Sequence, residues 1–159
     1  MNKNVLIAII AVVVVAVLGV GAFMLLGNNE GAKSLDLAAA NQTLASTTPF
    51  NEMMAMDITT EELSAVCGID TANVEKVYGK MPMMNVHSSM YLLIEAKEGK
   101  AETVKAELDK YVQQYEQQWS TYLPEQYEYV KNRKEGVLGN TVYLIIAENS
   151  EALEKSITE

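Results

Sequence analysis

Hydrophobic residues follow three different patterns along the chain. Val5 to Leu26 forms one unbroken apolar run, long enough for a helix that crosses a bilayer. In residues 85–97, "NVHSSMYLLIEAK", alternate positions are apolar, which predicts a β-strand with one well-buried face. From Lys100 to Tyr122 the apolar spacing changes to three and four, which predicts a long amphipathic helix. The chain therefore combines a predicted membrane segment with a domain of mixed secondary structure.

The apolar run could be a cleaved secretory signal or an uncleaved signal anchor. A signal has an apolar core of about 7–15 residues followed by a cleavage site at small residues. Here the run is longer, and "AFMLL" follows the small residues Gly19–Gly21, so the pattern favours an uncleaved transmembrane signal anchor over residues 5–26. Lys3 precedes the run, and residues 27–34 are close to neutral. The positive-inside rule then predicts a cytoplasmic tail, residues 1–4, and a cell-membrane protein whose C-terminal part is extracytoplasmic.

Residues 27–34, "GNNEGAKS", are small and polar, which is typical of a flexible linker. The domain that follows, residues 35–159, is predicted to contain two helices, two strands, a long helix with a shorter continuation, two more strands and a final helix. This order predicts an α+β fold, in which an antiparallel sheet of about four strands has helices packed on one face.

Several element boundaries have clear local signals. Thr59 and Glu62 form a capping box at the start of a short helix. Pro124 interrupts the long amphipathic pattern and suits the first turn of a new helix. Gly139 and Asn140 are a credible two-residue hairpin turn. The other predicted caps are Ser34, Ser150 and a left-handed C-terminal cap at Gly68.

Charge narrows the possible partners. Of the 12 basic residues only Lys3 precedes the apolar run, which leaves 11 basic residues against 21 acidic ones after it and a net charge of −10. Such a surface repels nucleic acid and anionic lipid headgroups. We therefore expect no nucleic-acid partner, and membrane contact through the single N-terminal helix.

The sequence offers little catalytic or metal-binding chemistry. His87 is the single histidine, expected on an exposed sheet face, and Cys67 is the single cysteine, expected as a buried and inert thiol. A catalytic triad needs nucleophile, base and orienting group within reach, and a zinc site needs several ligands. We therefore expect a protein that is not an enzyme, with no catalytic residue, no cofactor and no metal ligand.

The stretch "YLPEQYEY" contains three tyrosines and two glutamates around one proline. Tyr122 is predicted to finish the buried stripe of the long helix. Glu125 and Glu128 lie one helical turn apart, and a solvated helix face explains them. Tyr127 and Tyr129 are two apart and cannot share a helix face, so we expect only one of them to face the core.

Methionine and tyrosine are concentrated in the domain. Methionine fills irregular core gaps more often than it forms adaptable binding surfaces, so a core role is favoured. Six of the eight tyrosines lie between Tyr111 and Tyr143, where they suit either a thin core or a recognition surface. The domain methionines are Met53, Met54, Met56, Met81, Met83, Met84 and Met90.

The C-terminal half resembles a bacterial family. "YLPEQYEYVKN" and "GNTVYLIIAEN", followed by a short helix, are similar to the domain-of-unknown-function 4358 family. The resemblance runs from about Leu35 to the C-terminus and is strongest from Met90 to Asn149. It implies a small protein, mostly of Firmicutes, held outside the membrane by a lipid or a single helix. This chain has no cysteine for lipid attachment after its apolar run, and the family name implies no catalytic residues.

Two functions from different classes remain open. The first is a non-catalytic interaction or accessory protein of the bacterial cell envelope, which docks another envelope protein. The alternative is a sensor or carrier domain that binds a small ligand, of unknown identity, in a groove lined by tyrosine and methionine. A deep cavity would favour the ligand, whereas an exposed apolar patch would favour the protein partner.

Overall fold

The structure is a computed structural model that describes residues 34–159; the predicted tail and anchor, and the linker up to residue 33, lie outside the described residues. In chain order the elements are α1 (Leu37–Ala45), β1 (Ala55–Asp57), α2 (Thr60–Cys67), β2 (Val74–Pro82), β3 (Met90–Ala96), α3 (Ala101–Trp119), α4 (Pro124–Lys131), β4 (Lys134–Leu138), β5 (Thr141–Ile146) and α5 (Ser150–Thr158). A single 3₁₀ turn, Thr71–Asn73, precedes β2. Within this described range, no helix has the length and apolar character that a membrane crossing requires.

The strands form one antiparallel sheet in the order β1–β2–β3–β5–β4. The predicted α+β class and antiparallel sheet are confirmed, but the sheet has five strands. The additional strand, β1, has three residues and pairs at the sheet edge with the end of β2, where Met56 lies opposite Met81. Three residues are too few to give a period-two signal, so the sequence pattern did not predict this strand.

Helices cover both faces of the sheet, so the prediction of helices on one face is wrong. On the first face, α2, α3 and α4 pack over Leu92 and Ile94 of β3 and form the first core. On the second face, α1 and α5 pack over Tyr91 and Leu93 and form the second core. All four β3 side chains are fully buried. The alternating pattern placed Tyr91 on the less buried face of the strand, because a tyrosine hydroxyl is polar. In the structure that hydroxyl donates a hydrogen bond to Oδ1 of Asn41 in α1 at 2.7 Å, which allows Tyr91 to be buried.

Most of the predicted boundaries are confirmed. The Thr59 hydroxyl accepts from the Glu62 N–H at 3.3 Å, and the Glu62 carboxylate accepts from the Thr59 N–H at 2.8 Å, which completes the capping box. Gly68 ends α2 with φ of 68°, in the left-handed region that favours glycine. Pro124 is the first residue of α4. Gly139 and Asn140 connect β4 to β5 in a two-residue turn.

Two predicted helix caps are wrong. The cap of α1 is Asp36 instead of Ser34, because the Asp36 carboxylate accepts from the backbone N–H groups of Ala38 and Ala39 at 3.1 and 3.0 Å. Ser150 lies inside α5, and its hydroxyl donates to the Asn132 carbonyl oxygen at 2.7 Å. That serine therefore connects α5 to the end of α4 and does not cap its own helix.

The stripe of α3 ends earlier than predicted. Trp119 is buried and is the last residue of the helix, whereas Tyr122 lies beyond the helix and its side chain is 56% exposed. The Tyr122 ring still contacts Trp119, with the two ring centroids 5.6 Å apart. The helical spacing that predicted burial no longer applies once the chain leaves the helix for the corner before Pro124.

Candidate binding groove

The sequence-predicted reactive side chains lie apart from any common site. His87 is exposed as predicted, but it lies in the loop of residues 83–89, because β3 begins only at Met90. Cys67 is buried as predicted, and its burial raises the pKa of the thiol to about 12. Among residues 34–159, no group of three or more His, Cys, Asp or Glu side chains could hold a metal ion.

An open groove of about 340 Å³ lies between α3, the end of β2 and the loop of residues 83–89. Aromatic rings of α3 and thioethers of β2 and β3 line the groove together with neutral polar side chains. The lining residues are Val66, Met81, Pro82, Asn85, His87, Met90, Tyr111, Gln114, Tyr115, Gln118 and Trp119. This lining contains no Asp, Glu, Lys or Arg, although the chain after the predicted anchor has a net charge of −10.

Helical spacing builds the aromatic side of the groove. Tyr111, Tyr115 and Trp119 follow one another at intervals of four, so they lie on one face of α3. The rings of Tyr111 and Tyr115 stack with centroids 5.7 Å apart, and those of Tyr115 and Trp119 meet edge to face at 6.0 Å. All three side chains are buried. The groove therefore has a pre-formed aromatic wall held by packing.

Two of these aromatic side chains have hydrogen-bond partners, and the third lacks one. The Tyr111 hydroxyl donates to the Met90 sulfur at 3.9 Å, and the Tyr115 hydroxyl donates to the Ser88 carbonyl oxygen at 3.1 Å. The Trp119 indole N–H has no acceptor in hydrogen-bonding geometry among the described residues. Burial raises the pKa of Tyr115 to about 12. A buried donor without an acceptor costs about 1–3 kcal/mol.

The loop of residues 83–89 is held in place by Gln126 of α4. Ser88 is fully buried; its N–H donates to Oε1 of Gln126 at 2.7 Å, and its hydroxyl donates to the Gln126 carbonyl oxygen at 2.9 Å. Sequence reasoning did not identify this pair. One signal was available, because Ser88 lies among apolar residues on the buried face of the predicted strand, and a buried hydroxyl needs partners. The "YLPEQYEY" stretch therefore positions one rim of the groove.

The rest of that stretch lies beside the groove. Glu125 and Glu128 are exposed, as predicted. Tyr127 and Tyr129 are both half-buried against the first core, so the prediction that only one of them would face the core is wrong. Both rings belong to the short helix α4, so apolar atoms contact more than one of its sides. Tyr129 also donates a hydrogen bond to the Glu125 carboxylate at 3.0 Å.

The methionines divide between core and surface. Met81 and Met90 are buried in the first core, as predicted. Met54 and Met83 are each 61% exposed, and Met84 is also exposed. Val66, also exposed, lines the groove, and the loop of residues 83–89 that forms one side of the groove exposes Met83, Met84 and Val86. An isolated exposed apolar residue is ordinary, but several around one groove are typical of an interaction site.

Comparison with known proteins identifies the family. The model of the family described as "Domain of unknown function (DUF4358)" matches residues 48–147, which is more than half of the 159-residue chain. These residues include all five strands and the helices α2, α3 and α4. No curated protein and no solved structure matched the chain. The family match and the sequence resemblance agree, and the chain belongs to the DUF4358 family.

Proposed function

We propose that the chain is a non-catalytic interaction domain of the bacterial cell envelope, anchored by residues 5–26, with its domain outside the membrane. In this proposal, a segment of another envelope protein docks in the groove along α3. The observation that carries the proposal is the groove itself, which is open, has no Asp, Glu, Lys or Arg in its lining, and is bordered by a loop that exposes Met83, Met84 and Val86. An open groove of this kind accommodates an apolar chain segment more readily than a fully enclosed metabolite.

The chemistry of the groove rim supports a protein partner. Met83 and Met84 are long, unbranched and polarizable, so they can adapt to the side chains of an incoming segment. Val86 adds a rigid apolar contact on the same loop. Interface centres are depleted in charged residues and enriched in aromatic residues and methionine. The groove lining has this composition in a chain that is otherwise strongly acidic.

The reactive groups of the domain support the non-catalytic part of the proposal. Covalent catalysis needs a nucleophile within hydrogen-bond reach of a general base. The Cys67 thiol is buried and its pKa is raised, while the His87 imidazole lies on an exposed loop. A thiol whose pKa is raised is not activated as a nucleophile at neutral pH.

Affinity capture of the full-length chain from its native membrane tests the docking proposal. Val86→Asp places a charge on the rim of the groove, and Ala39→Asp places the same charge on an exposed position of α1, on the second face. We expect the wild-type chain and the Ala39→Asp variant to capture the same protein, and the Val86→Asp variant to lose it. Equal capture by all three chains would show that the groove is not the docking site.

A small neutral ligand in the same groove is the second candidate. The unpaired Trp119 N–H favours it, because Trp119 lines the groove and a ligand oxygen could supply the missing acceptor. Native mass spectrometry of the chain purified from its own membrane distinguishes the two functions. A bound small molecule in the absence of any captured protein would support the ligand and contradict the docking proposal.

The proposed location of the domain outside the membrane has its own test. Protease added to intact spheroplasts should degrade the domain that follows Leu26, because we propose that this part lies outside the membrane. Protection of the domain from the protease would contradict the proposed orientation.

A further inference from the structure

Methionines from two neighbouring strands share one face of the β1–β2 pair. Met56 lies directly opposite Met81. The Met83 N–H donates to the Met54 carbonyl oxygen at 3.0 Å, which continues the same register one residue beyond the ends of both β1 and β2. Residues directly opposite one another, and residues two apart on a strand, point to the same face of a sheet. These four side chains, called the methionine ladder below, therefore form two consecutive cross-strand pairs.

The two pairs of the ladder differ in their surroundings. The inner pair, Met56 and Met81, packs against the first core. The outer pair, Met54 and Met83, is solvent-exposed. Directly opposite residues have Cβ atoms about 4.5–5.5 Å apart. Thioethers on flexible side chains at that spacing can reach a common ion, and the inner pair is the next pair along the same face of the sheet.

The donor set of the ladder is soft. Thioether sulfur selects Cu(I), whereas calcium and magnesium need oxygen ligands. The nearest carboxylate on β1, Asp57, lies at the alternate position of the strand and therefore on the other face, where it pairs with Lys80 at 3.0 Å. The expectation of no metal site considered zinc and calcium, and thioethers are not among the usual ligands of either ion.

We propose that the methionine ladder binds one Cu(I) ion, with the sulfurs of Met54 and Met83 as the outer ligands and the inner pair completing the site. This inference does not rest on the docking function, since it uses the strand register and the donor chemistry alone.

Competition with a chromophoric Cu(I) chelator, bicinchoninate, tests the site on the full chain in detergent under reducing, anaerobic conditions. The test variant is Met54→Leu with Met83→Leu, because leucine and methionine have similar volumes and the exchange preserves packing. The matched control is Met53→Leu, since Met53 neighbours Met54 in sequence but packs against the second core. A second control, Cys67→Ala, removes the single thiol.

We expect the wild-type chain and both controls to withhold one equivalent of Cu(I) from the chelator, and the double variant to bind at least about tenfold more weakly. Circular dichroism should show all four chains folded. Failure of the wild-type chain to compete would overturn the proposal. It would also be overturned by unchanged affinity in the double variant, or by loss of binding in either control.

Discussion

The two faces of the sheet bury aromatic residues in different ways. On the second face the hydroxyls of the two buried tyrosines are paired, because Tyr91 donates to Asn41 at 2.7 Å and Tyr143 donates to Glu154 at 2.7 Å. On the first face the Trp119 N–H has no acceptor among the described residues, and the groove opens beside it. The second face is built for packing, whereas the first combines packing with a surface that an additional molecule could complete.

The largest predicted effect tests whether both faces are true cores. Leu108 of α3 and Leu44 of α1 are fully buried on the first and second faces. We expect Leu108→Ala and Leu44→Ala each to lower the free energy of unfolding by about 2–5 kcal/mol, because each leaves a cavity. Urea unfolding of the full chain in detergent measures both. A negligible effect of Leu44→Ala would mean that α1 does not close the second face.

A smaller effect is expected where α4 holds the rim of the groove. Gln126→Ala removes the acceptor of the buried Ser88 N–H, which should lower the free energy of unfolding by about 1–3 kcal/mol. It should also increase hydrogen exchange in residues 83–89. Gln117→Ala, on an exposed position of α3, is the control and should leave that exchange unchanged. Unchanged exchange in the Gln126 variant would mean that other contacts fix the loop.

Alkaline pH should weaken the packing on both faces. Burial raises the pKa of Tyr115 on the first face and of Tyr143 on the second to about 12, and the hydrogen bond to Glu154 adds to the rise for Tyr143. The folded state therefore favours the neutral hydroxyl. The free energy of unfolding should be unaffected by these groups below about pH 10, and should fall as the pH rises from about 10 towards 12.

Unfolding followed by tyrosinate absorbance measures this loss. Replacing Tyr115 or Tyr143 by Phe removes one titrating group and should make the stability less dependent on pH in that range. A stability that stays constant from about pH 10 to 12 in the wild-type chain would contradict the burial of these hydroxyls.

The smallest effect on stability is expected at the groove rim. Val86 is exposed, so Val86→Asp should change the free energy of unfolding by no more than about 0.5 kcal/mol. Any loss of partner capture by this variant would then reflect the surface and not unfolding. Destabilisation as large as that of Leu108→Ala would show instead that Val86 belongs to the core.

The sequence predicted local structure better than it predicted the layers of the fold. The capping box at Thr59, the helix start at Pro124 and the turn at Gly139 follow from short-range chemistry, and the structure confirms them. The second layer of helices was not predicted, because burial of Tyr91 requires a hydrogen-bond partner for its hydroxyl, and that partner lies in α1. That partner is 50 positions away in sequence, beyond the range of any periodicity argument.

The groove was predictable in composition but not in position. The concentration of tyrosine and methionine indicated either a core or a binding surface, and both occur in the structure. The spacing of Tyr111, Tyr115 and Trp119 placed them on one helix face. The interaction between Ser88 and Gln126 joins two distant segments, as does the alignment of Met56 with Met81, so neither could be derived from local patterns.

Photo-cross-linking from single positions in the native membrane tests directly whether the groove on the first face is the docking surface. A photoreactive amino acid replaces Gln118 at the groove or, as the control, Ala39 on α1. We expect a cross-linked envelope protein from position 118 and none from position 39. The same cross-link from both positions, or from position 39 alone, would contradict it.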